Sequence, residues 1–287
     1  MILLYYLVLL PISILPSSLQ YGLARVLKFI LKTLVAYRRN LIRSNLELCF
    51  PEMEEEKRKK VLDAFYWNLS QVILESISAF SLTEKEAALR CHVKNPEVLN
   101  ELFAQNRDVI ITGGHYANWE AITLTANQVN HDLYALYKPL KNAFMDEKVT
   151  VSRSKFGVKM ISIKDYRQHI EKYHETPRAF IFGIDQSPRK DSGEWIRFLN
   201  RDTMVFTGPE RLAKKYNMAV VTGRLVRVGR GQYEIEYELL FDRPNDTKTL
   251  EITKRTMEDV QMMIVNKPSD WLWSHNRWKH SKYLEAQ

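Results

Sequence analysis

The most informative stretch of this 287-residue chain is Asp108-Val-Ile-Ile-Thr-Gly-Gly-His-Tyr-Ala-Asn-Trp-Glu120. Its first part, Val109 to Thr112, is apolar and β-branched, which predicts a buried strand. Two glycines end the strand, His115 follows them, and Glu120 comes five positions later. Because binding and catalytic side chains are often carried by loops on a rigid scaffold, we expect a site directly after this strand.

A histidine beside a carboxylate suits the removal of a proton from a hydroxyl group. Neutral imidazole is the base best matched to pH 7, and a carboxylate would fix its tautomer and stabilise the imidazolium. Side chains five apart on a helix point about 140° away from each other, so we expect His115 in the turn and Glu120 reaching back from the first helical turns. Such a pair suits direct acyl transfer to a hydroxyl. The alternative is a hydrogen-bonded turn histidine and a solvated acid.

Strand and helix patterns alternate on both sides of this stretch. Glu52 to Phe80 reads as a long helix, Thr83 with Glu86 forms a capping box for a short one, and Thr249 to Val265 predicts another. Short β-rich runs lie at Leu133–Tyr137, Val158–Ile163, Ala179–Ile184 and Ala219–Val228. This alternation predicts the α/β class, with a mixed, mostly parallel sheet and flanking helices. Gly229-Arg-Gly231, between two strand-like runs, predicts an antiparallel hairpin that closes one edge of the sheet.

Composition narrows the setting of the protein. A hydrophobic content of 45% excludes a disordered chain, and the net charge of +8 favours an anionic partner: nucleic acid, an acidic membrane surface or a phosphorylated substrate. The two cysteines, Cys49 and Cys91, provide no disulfide framework and no zinc ligand set. We therefore expect a reducing compartment and buried, unpaired thiols.

The amino-terminal segment predicts contact with a membrane. No charged side chain occurs from Met1 to Ala24, although Pro11 and Pro16 interrupt the apolar pattern before the roughly 20 residues of a comfortable span. Basic residues then alternate with apolar ones at Arg25, Lys28, Lys32, Arg38, Arg39 and Arg43. We expect residues 1–44 to be a membrane anchor with a basic amphipathic helix, and residues 45–287 a single domain on the cytoplasmic side. A core helix of a soluble protein is the alternative.

Five motifs, taken in order, resemble those of the late acyltransferases of lipid A biosynthesis, the lauroyl and myristoyl transferases. They are Tyr37-Arg-Arg-Asn40 with Asn45-Leu46 and Cys49-Phe-Pro51; Gly114-His115 to Trp119-Glu120; Tyr137-Lys-Pro-Leu-Lys-Asn142; Asp185-Gln-Ser-Pro188; and Trp271-Leu-Trp273 with Arg277-Trp-Lys279. The resemblance covers most of the chain. It implies a glycerolipid-acyltransferase-like fold, an enzyme at the cytoplasmic face of the cell inner membrane, and no metal or redox cofactor.

The resemblance also implies roles for individual residues. His115 would be the general base and Glu120 its orienting partner. Lys138, where the family more usually has arginine, would bind the substrate with Lys141 and Arg153, and Asp185 would bind it at a strand end. The donor would be acyl carrier protein or acyl-CoA, the acceptor a phosphorylated glycolipid, and nucleic acid no partner.

Three other functions fit the same residues. An acyltransferase of the same class could use another membrane lipid as acceptor, such as a phosphatidylinositol mannoside or an amino-acid lipid. A membrane-bound esterase or thioesterase could use the same histidine and acid to activate water. A non-catalytic basic membrane-binding protein would show no turnover of any thioester. The aromatic and basic residues near Trp271 and His275 could form a nucleic-acid platform, but packing against the sheet or the membrane interface is the simpler interpretation.

Overall fold

The computed structural model describes residues 1–172, 174–190 and 192–280. The helices are α1 (Ile2–Leu4), α2 (Leu10–Ser13), α3 (Ser17–Phe29), α4 (Arg39–Cys49), α5 (Glu55–Ser78), α6 (Glu84–Arg90), α7 (Glu97–Ala104), α8 (Ala143–Ser154), α9 (Tyr166–Glu171), α10 (Gly208–Tyr216) and α11 (Glu251–Asn266). Tyr5–Leu9 and Ile30–Leu34 are π-helical turns, and short 3₁₀ turns include Trp119–Leu124 and Pro268–Asp270. The predicted long helix is thus confirmed as α5, and the helix predicted from Thr249 as α11.

The strands form one large sheet and one small one. They are β1 (Cys91–Val93), β2 (Val109–Gly113), β3 (Asp132–Tyr137), β4 (Lys159–Ser162), β5 (Arg178–Gly183), β6 (Glu194–Phe198), β7 (Arg201–Val205), β8 (Ala219–Gly229) and β9 (Gln232–Phe241). The seven-stranded sheet has the order β1-β9-β8-β2-β5-β3-β4, and all its pairings are parallel except that of β8 with β9. The predicted mixed, mostly parallel sheet is confirmed.

Two details of the sheet differ from the prediction. The β8–β9 hairpin does not close an edge, because Cys91 to Val93 pairs in parallel with Tyr233 to Ile235 and lies outside it. The second difference is the separate antiparallel pair of β6 and β7, which sequence reading missed. β1 has only three residues, and only a tertiary contact identifies so short a run as a strand.

The capping box of α6 has the predicted geometry. The Thr83 hydroxyl accepts from the backbone N–H of Glu86, while the Glu86 carboxylate accepts from the backbone N–H of Thr83. Two of the N–H groups that lack a partner within the helix are satisfied in this way.

The amino-terminal helices pack against α5 with one side. Lys28 of α3 and Lys32 of the π-helical turn that follows it both bind the carboxylate of Asp63 in α5, at 2.7 and 2.6 Å. Their other side leaves apolar side chains exposed: Ile2, Leu3, Leu4, Tyr6, Leu7, Val8, Ile14, Leu19, Leu23, Val26, Phe29, Leu34 and Val35. Across the described ranges of the chain, no helix has both the length and the apolar content needed to cross a membrane. The boundary predicted at residue 44 falls inside α4, whose Ile42 and Leu46 belong to the main core.

The register of β2 and β5 places the carboxyl ends of these two strands side by side. These parallel neighbours are paired from Val109 with Ala179 to Gly113 with Gly183. Because the strands run in the same direction and end together, the residues two positions beyond each end, His115 and Asp185, emerge at the same edge. This is the edge at which open α/β sheets present side chains to ligands.

Candidate active site

His115 and Asp185 form a tight hydrogen-bonded pair. The imidazole Nδ1 lies 2.6 Å from Oδ1 of Asp185, and the backbone N–H of His115 donates to Oδ2 of the same carboxylate at 2.7 Å. The indole N–H of Trp271 also donates to Oδ2, at 2.7 Å. Asp185 is buried, with 2% of its surface exposed. With donors on both oxygens, the carboxylate is held in a single orientation.

The second ring nitrogen of His115 faces an amide. The Gln186 side-chain nitrogen lies 3.1 Å from Nε2 of His115, and an amide nitrogen can only donate. Nε2 therefore accepts, and Nδ1 carries the proton that is donated to Asp185. This tautomer leaves the basic lone pair on Nε2, directed away from the carboxylate.

The surroundings shift the pKa of both partners. Burial by itself favours neutral imidazole, but the charge and hydrogen bond of Asp185 outweigh it and raise the pKa of His115 above its ordinary value. Glu120 acts in the same direction and Arg153 against it. Burial by itself would raise the pKa of Asp185, but His115 and the hydrogen bond from Trp271 lower it to about 2. Asp185 is therefore ionised at neutral pH.

Two glycines make room for this pair. A Cβ on Gly183 would lie 2.8 Å from Cε1 of His115, so the imidazole rests directly on the end of β5. A Cβ on Gly114 would lie 2.9 Å from a methyl group of Val260 in α11. A larger residue at Gly183 would displace the imidazole, and one at Gly114 would clash with Val260 of α11.

The carboxy-terminal segment holds the turn that carries His115. Tyr116 and Trp271 form an antiparallel bridge, and the N–H of Leu272 donates to the carbonyl of His115 at 3.1 Å. Ala117 has φ of 50°, a conformation uncommon for a residue with a side chain, and its N–H donates to the carbonyl of Asp270 at 2.9 Å. These tertiary contacts stabilise a turn conformation that the local sequence alone does not favour.

Buried tryptophans explain the aromatic motif at the end of the described chain. Trp271, Trp273 and Trp278 are 2%, 0% and 6% exposed, and the ring of Trp271 lies edge-on to those of both the others. The interpretation as packing is confirmed, because buried indoles cannot stack on the bases of a nucleic acid.

Glu120 binds a different partner from the one predicted. Both of its carboxylate oxygens accept from Arg153 of α8, from Nε at 2.7 Å and from Nη2 at 2.5 Å. Glu120 lies in the 3₁₀ turn that follows His115 and faces α8, whereas the strand register brings Asp185 directly to the imidazole. The hydrogen bond that orients His115 therefore comes from Asp185 rather than from Glu120.

An apolar cavity of about 550 Å³ is lined by Glu120 and Arg153 and extends to Trp119, which packs against His115. Helix α5 lines it with Leu69, Val72, Ile73 and Ile77, α8 with Met145, Val149 and Arg153, the 3₁₀ turn with Trp119, Glu120 and Leu124, and the amino-terminal segment with Leu9. The indole of Trp119 also packs edge-on against the imidazole of His115, with 5.3 Å between ring centroids. The volume of the cavity lies within the range of roughly 300–1,000 Å³ that is typical of small-molecule binding sites. A histidine whose Nε2 accepts from Gln186, and whose ring packs against the cavity wall at Trp119, suits a reaction on a lipid-like chain.

Comparison with known proteins gives the same class of chemistry. The family model "Bacterial lipid A biosynthesis acyltransferase" matches residues 1–280. The chain belongs to this family. It is an O-acyltransferase, and its resemblance to the family on sequence motifs is confirmed.

Several named relatives of this acyltransferase are distant but align over most of their length. The lipid A biosynthesis lauroyltransferase of Escherichia coli is 24% identical over 251 residues, which are 84% of this chain and 79% of that protein. A lipid A biosynthesis acyltransferase of Haemophilus influenzae is 23% identical over 247 residues, 82% of this chain and 74% of that protein. The lipid A biosynthesis palmitoleoyltransferase of Escherichia coli is 23% identical over 246 residues, 84% and 79% of the two chains.

Two further residues that the sequence suggested for substrate binding lie apart from His115 and Asp185. Lys138 and Lys141 of the acyltransferase are exposed in the segment between β3 and α8, and neither lines the cavity. Among the described residues, no group of three or more His, Cys, Asp or Glu side chains could hold a metal ion.

His275 belongs to the site, although sequence reading treated it as a packing residue. It lines the cavity, and its Nε2 accepts from the backbone N–H of Ser187 at 3.0 Å. Burial lowers the pKa of His275 to about 4, so its ring is neutral at pH 7. The signal that could have found it is its position between Trp273 and Arg277 in the last motif.

Proposed function

We propose that this acyltransferase moves a fatty acyl chain from an acyl thioester, carried by acyl carrier protein, to a hydroxyl group of a lipid A precursor. One observation carries the proposal: the imidazole of His115, oriented by Asp185, packs against Trp119, which lines an apolar cavity. The names of the relatives support lipid A as the acceptor class.

The first step is attack of the acceptor hydroxyl on the thioester carbonyl. Nε2 of His115 takes the hydroxyl proton as the C–O bond forms, and the substrate hydroxyl replaces Gln186 as its hydrogen-bond donor. The imidazolium that forms is stabilised by the ionised Asp185. No covalent acyl-enzyme is required, because the hydroxyl itself is the nucleophile.

The second step is collapse of the tetrahedral intermediate. The guanidinium of Arg153, which lines the cavity next to Glu120, would stabilise the negative oxygen by charge. Glu120 would hold Arg153 in place through their paired hydrogen bonds. The C–S bond then breaks, the thiolate of the donor takes the proton from His115, and the ester and the free thiol leave.

The cavity would hold the acyl chain during both steps. Its apolar side chains from α5 and α8 exclude water, which limits hydrolysis of the thioester. A chain in the cavity would place its carboxyl end next to Trp119, whose ring touches the imidazole.

The exposed apolar face of the amino-terminal helices would bind the lipid surface that contains the acceptor. Thirteen apolar or aromatic side chains between Ile2 and Val35 are exposed on it. Arg25 of α3 is also exposed, and a basic group at this level would bind anionic headgroups. We propose that the enzyme works in this way at the cytoplasmic face of the inner membrane.

Mass spectrometry of lipid A from cells with and without the gene tests this function. We expect lipid A from cells without the gene to lack one acyl chain. The wild-type gene should restore this chain, and a gene with His115→Ala should not. An unchanged lipid A profile would contradict the proposed acceptor and favour another membrane lipid.

Incubation of the purified enzyme with a thioester separates transfer from hydrolysis. With acceptor present, the proposed enzyme forms ester and little free fatty acid. Free fatty acid as the main product would show an esterase or thioesterase, and the same assay with acyl-CoA in place of acyl carrier protein identifies the donor.

A further inference from the structure

Glu75, a buried acid of α5, joins elements that are far apart in the chain. Only 4% of its surface is exposed, yet it carries a carboxylate. Oε1 accepts from the Tyr21 hydroxyl at 2.6 Å and from Nη1 of Arg227 at 3.2 Å. Oε2 accepts from the Tyr233 hydroxyl at 2.5 Å and from Nδ2 of Asn118 at 2.7 Å.

These bonds exclude a direct chemical role for Glu75. A carboxylate has about four acceptor positions, and four donors occupy them here. It has no oxygen left for a substrate hydroxyl, although its side chain contributes to the cavity wall. What it does is hold its donors in fixed positions.

One donor belongs to the turn that carries the catalytic base. Asn118 follows Ala117 and precedes Trp119, so it lies between His115 and Glu120. Its side chain is buried, and Ala117 beside it has a positive φ. A turn in this conformation costs energy and keeps its shape only when the surrounding structure holds it.

A second buried amide supports the same turn from α5. Asn68 donates from Nδ2 to the carbonyl of Asp270 at 3.3 Å and, more weakly, to that of Ala117 at 3.5 Å. Its Oδ1 accepts from Arg227, the guanidinium that also binds Glu75. Glu75, Arg227 and Asn68 therefore form one connected polar cluster under the turn.

Another hydrogen-bond donor to Glu75 is Tyr21 of α3, a helix that has no residue in the cavity wall. Tyr21 is buried and the Arg230 guanidinium lies 4.1 Å from its ring centroid. Gly231, with φ of 67°, leaves the space for its hydroxyl, because a Cβ there would lie 2.7 Å from that oxygen. Tyr21 thus fixes α3 against the β8–β9 hairpin and against Glu75 together.

We propose that Glu75 is a positioning residue that ties α3 to the turn carrying His115 and Glu120. The chain of contacts is Tyr21 to Glu75 to Asn118. Loss of the link leaves the catalytic groups present but lets the turn move relative to the cavity. The inference rests on the proposed function for its kinetic consequences, but its structural consequence is independent of the reaction.

Two variants test the link, Glu75→Gln and Tyr21→Phe. Tyr21→Phe removes only the hydroxyl and retains the ring under Arg230. We expect kcat to fall about ten- to a hundredfold with little change in KM, because a shift of about 1 Å at the reacting groups costs that much. Amide hydrogen exchange of residues 116–121 should become faster, while exchange in α10 stays as in the wild type.

Tyr216→Phe is the matched control. The Tyr216 hydroxyl donates to the carboxylate of Glu171 at 2.7 Å, a tyrosine–carboxylate bond of similar length at an exposed site outside the cavity wall. We expect wild-type kcat and wild-type exchange at residues 116–121 in this variant. If Glu75→Gln does not fold, Tyr21→Phe alone tests the link between α3 and the turn.

The outcomes distinguish this inference from the proposed function. Wild-type kcat and unchanged exchange of residues 116–121 in Tyr21→Phe would overturn the inference while leaving acyl transfer intact. If the wild-type protein transfers no acyl chain, the proposed function fails, and faster exchange at residues 116–121 in Tyr21→Phe still supports the link, whereas unchanged exchange still overturns it.

Discussion

Nδ1 of His115 lies 2.6 Å from Oδ1 of Asp185, although the two residues are 70 positions apart in the chain. The contact follows from β2 and β5, which run in parallel and end in register at Gly113 and Gly183. Since the same carboxylate also accepts from the His115 backbone and from Trp271, it fixes both the ring and the start of the turn.

Asp185→Asn should remove most of the activity. An asparagine would present an N–H or a weaker acceptor to Nδ1, and the tautomer with a basic Nε2 would no longer be favoured. By analogy with the aspartate-to-asparagine change in catalytic triads, we expect kcat to fall by about 10³–10⁴-fold. Steady-state kinetics with a thioester donor measures this, and a circular dichroism spectrum like that of the wild type is the control. A fall of less than about tenfold would contradict the orienting role of Asp185.

The same pair predicts the pH dependence of the wild-type enzyme. A general base must be neutral, and Asp185 raises the pKa of His115. The rising limb of kcat/KM against pH should therefore have its midpoint above about 6.5, the ordinary value for histidine. In the residual activity of Asp185→Asn the midpoint should move to lower pH, because the main charge that opposes the effect of burial on His115 is then absent. A limb that stays in place in this variant would show that another group titrates.

Glu120 and Arg153 should act as one unit. Glu120→Gln and Arg153→Met each break the paired hydrogen bonds, so the double variant should lose much less than the sum of the two single losses. A double-mutant cycle on kcat/KM should give a coupling energy of about 1–3 kcal/mol. The exposed pair Arg197 and Asp202 is a control cycle in which we expect none. Additive losses for Glu120 and Arg153 would mean separate roles.

Val149→Phe should shorten the acyl chain that the enzyme accepts. Val149 lines the cavity from α8, and a phenyl ring in its place would take up apolar volume. We expect kcat/KM to fall for long-chain thioesters more than for short ones, measured across a series of chain lengths. Val151→Phe is the matched control, since Val151 lies on the same helix but is 60% exposed. An equal loss for all chain lengths in Val149→Phe would argue against an acyl chain at this position.

Charges on the exposed face of α3 should weaken membrane binding. In the double variant Val26→Asp/Phe29→Asp, two apolar side chains that are 56% and 57% exposed become acidic. We expect weaker sedimentation with vesicles that contain anionic phospholipid, with folding unchanged. The control is Met262→Asp/Val265→Asp on α11, where the exposed fractions are 49% and 54% at the same spacing. Equal binding by both double variants would contradict a membrane role for α3.

Sequence patterns were sufficient where local interactions decide the structure. The apolar positions of α5, the capping box at Thr83 and the runs of β2 and β5 each carry their own signal. The motif around His115 likewise gave the residue that lies at the centre of the site.

The sequence patterns could not predict which distant strands lie next to each other in the sheet. Glu120 is close to His115 in sequence and was therefore predicted as its partner, but neighbours in a parallel sheet come from distant parts of the chain. Asp185 meets His115 only because β2 and β5 are adjacent, and β1 is a strand only because it pairs with β9. Glu75 gave no signal either, since its donors come from four separate elements.

The most direct test of the account is acyl transfer by His115→Ala. Purified wild-type and variant enzymes are incubated with an acyl carrier protein thioester and a lipid A precursor, and the product is detected by mass spectrometry. We predict a precursor heavier by one acyl chain with the wild type and none with His115→Ala, while both proteins melt at the same temperature and bind vesicles equally. Product formation by His115→Ala at a near wild-type rate would contradict the account.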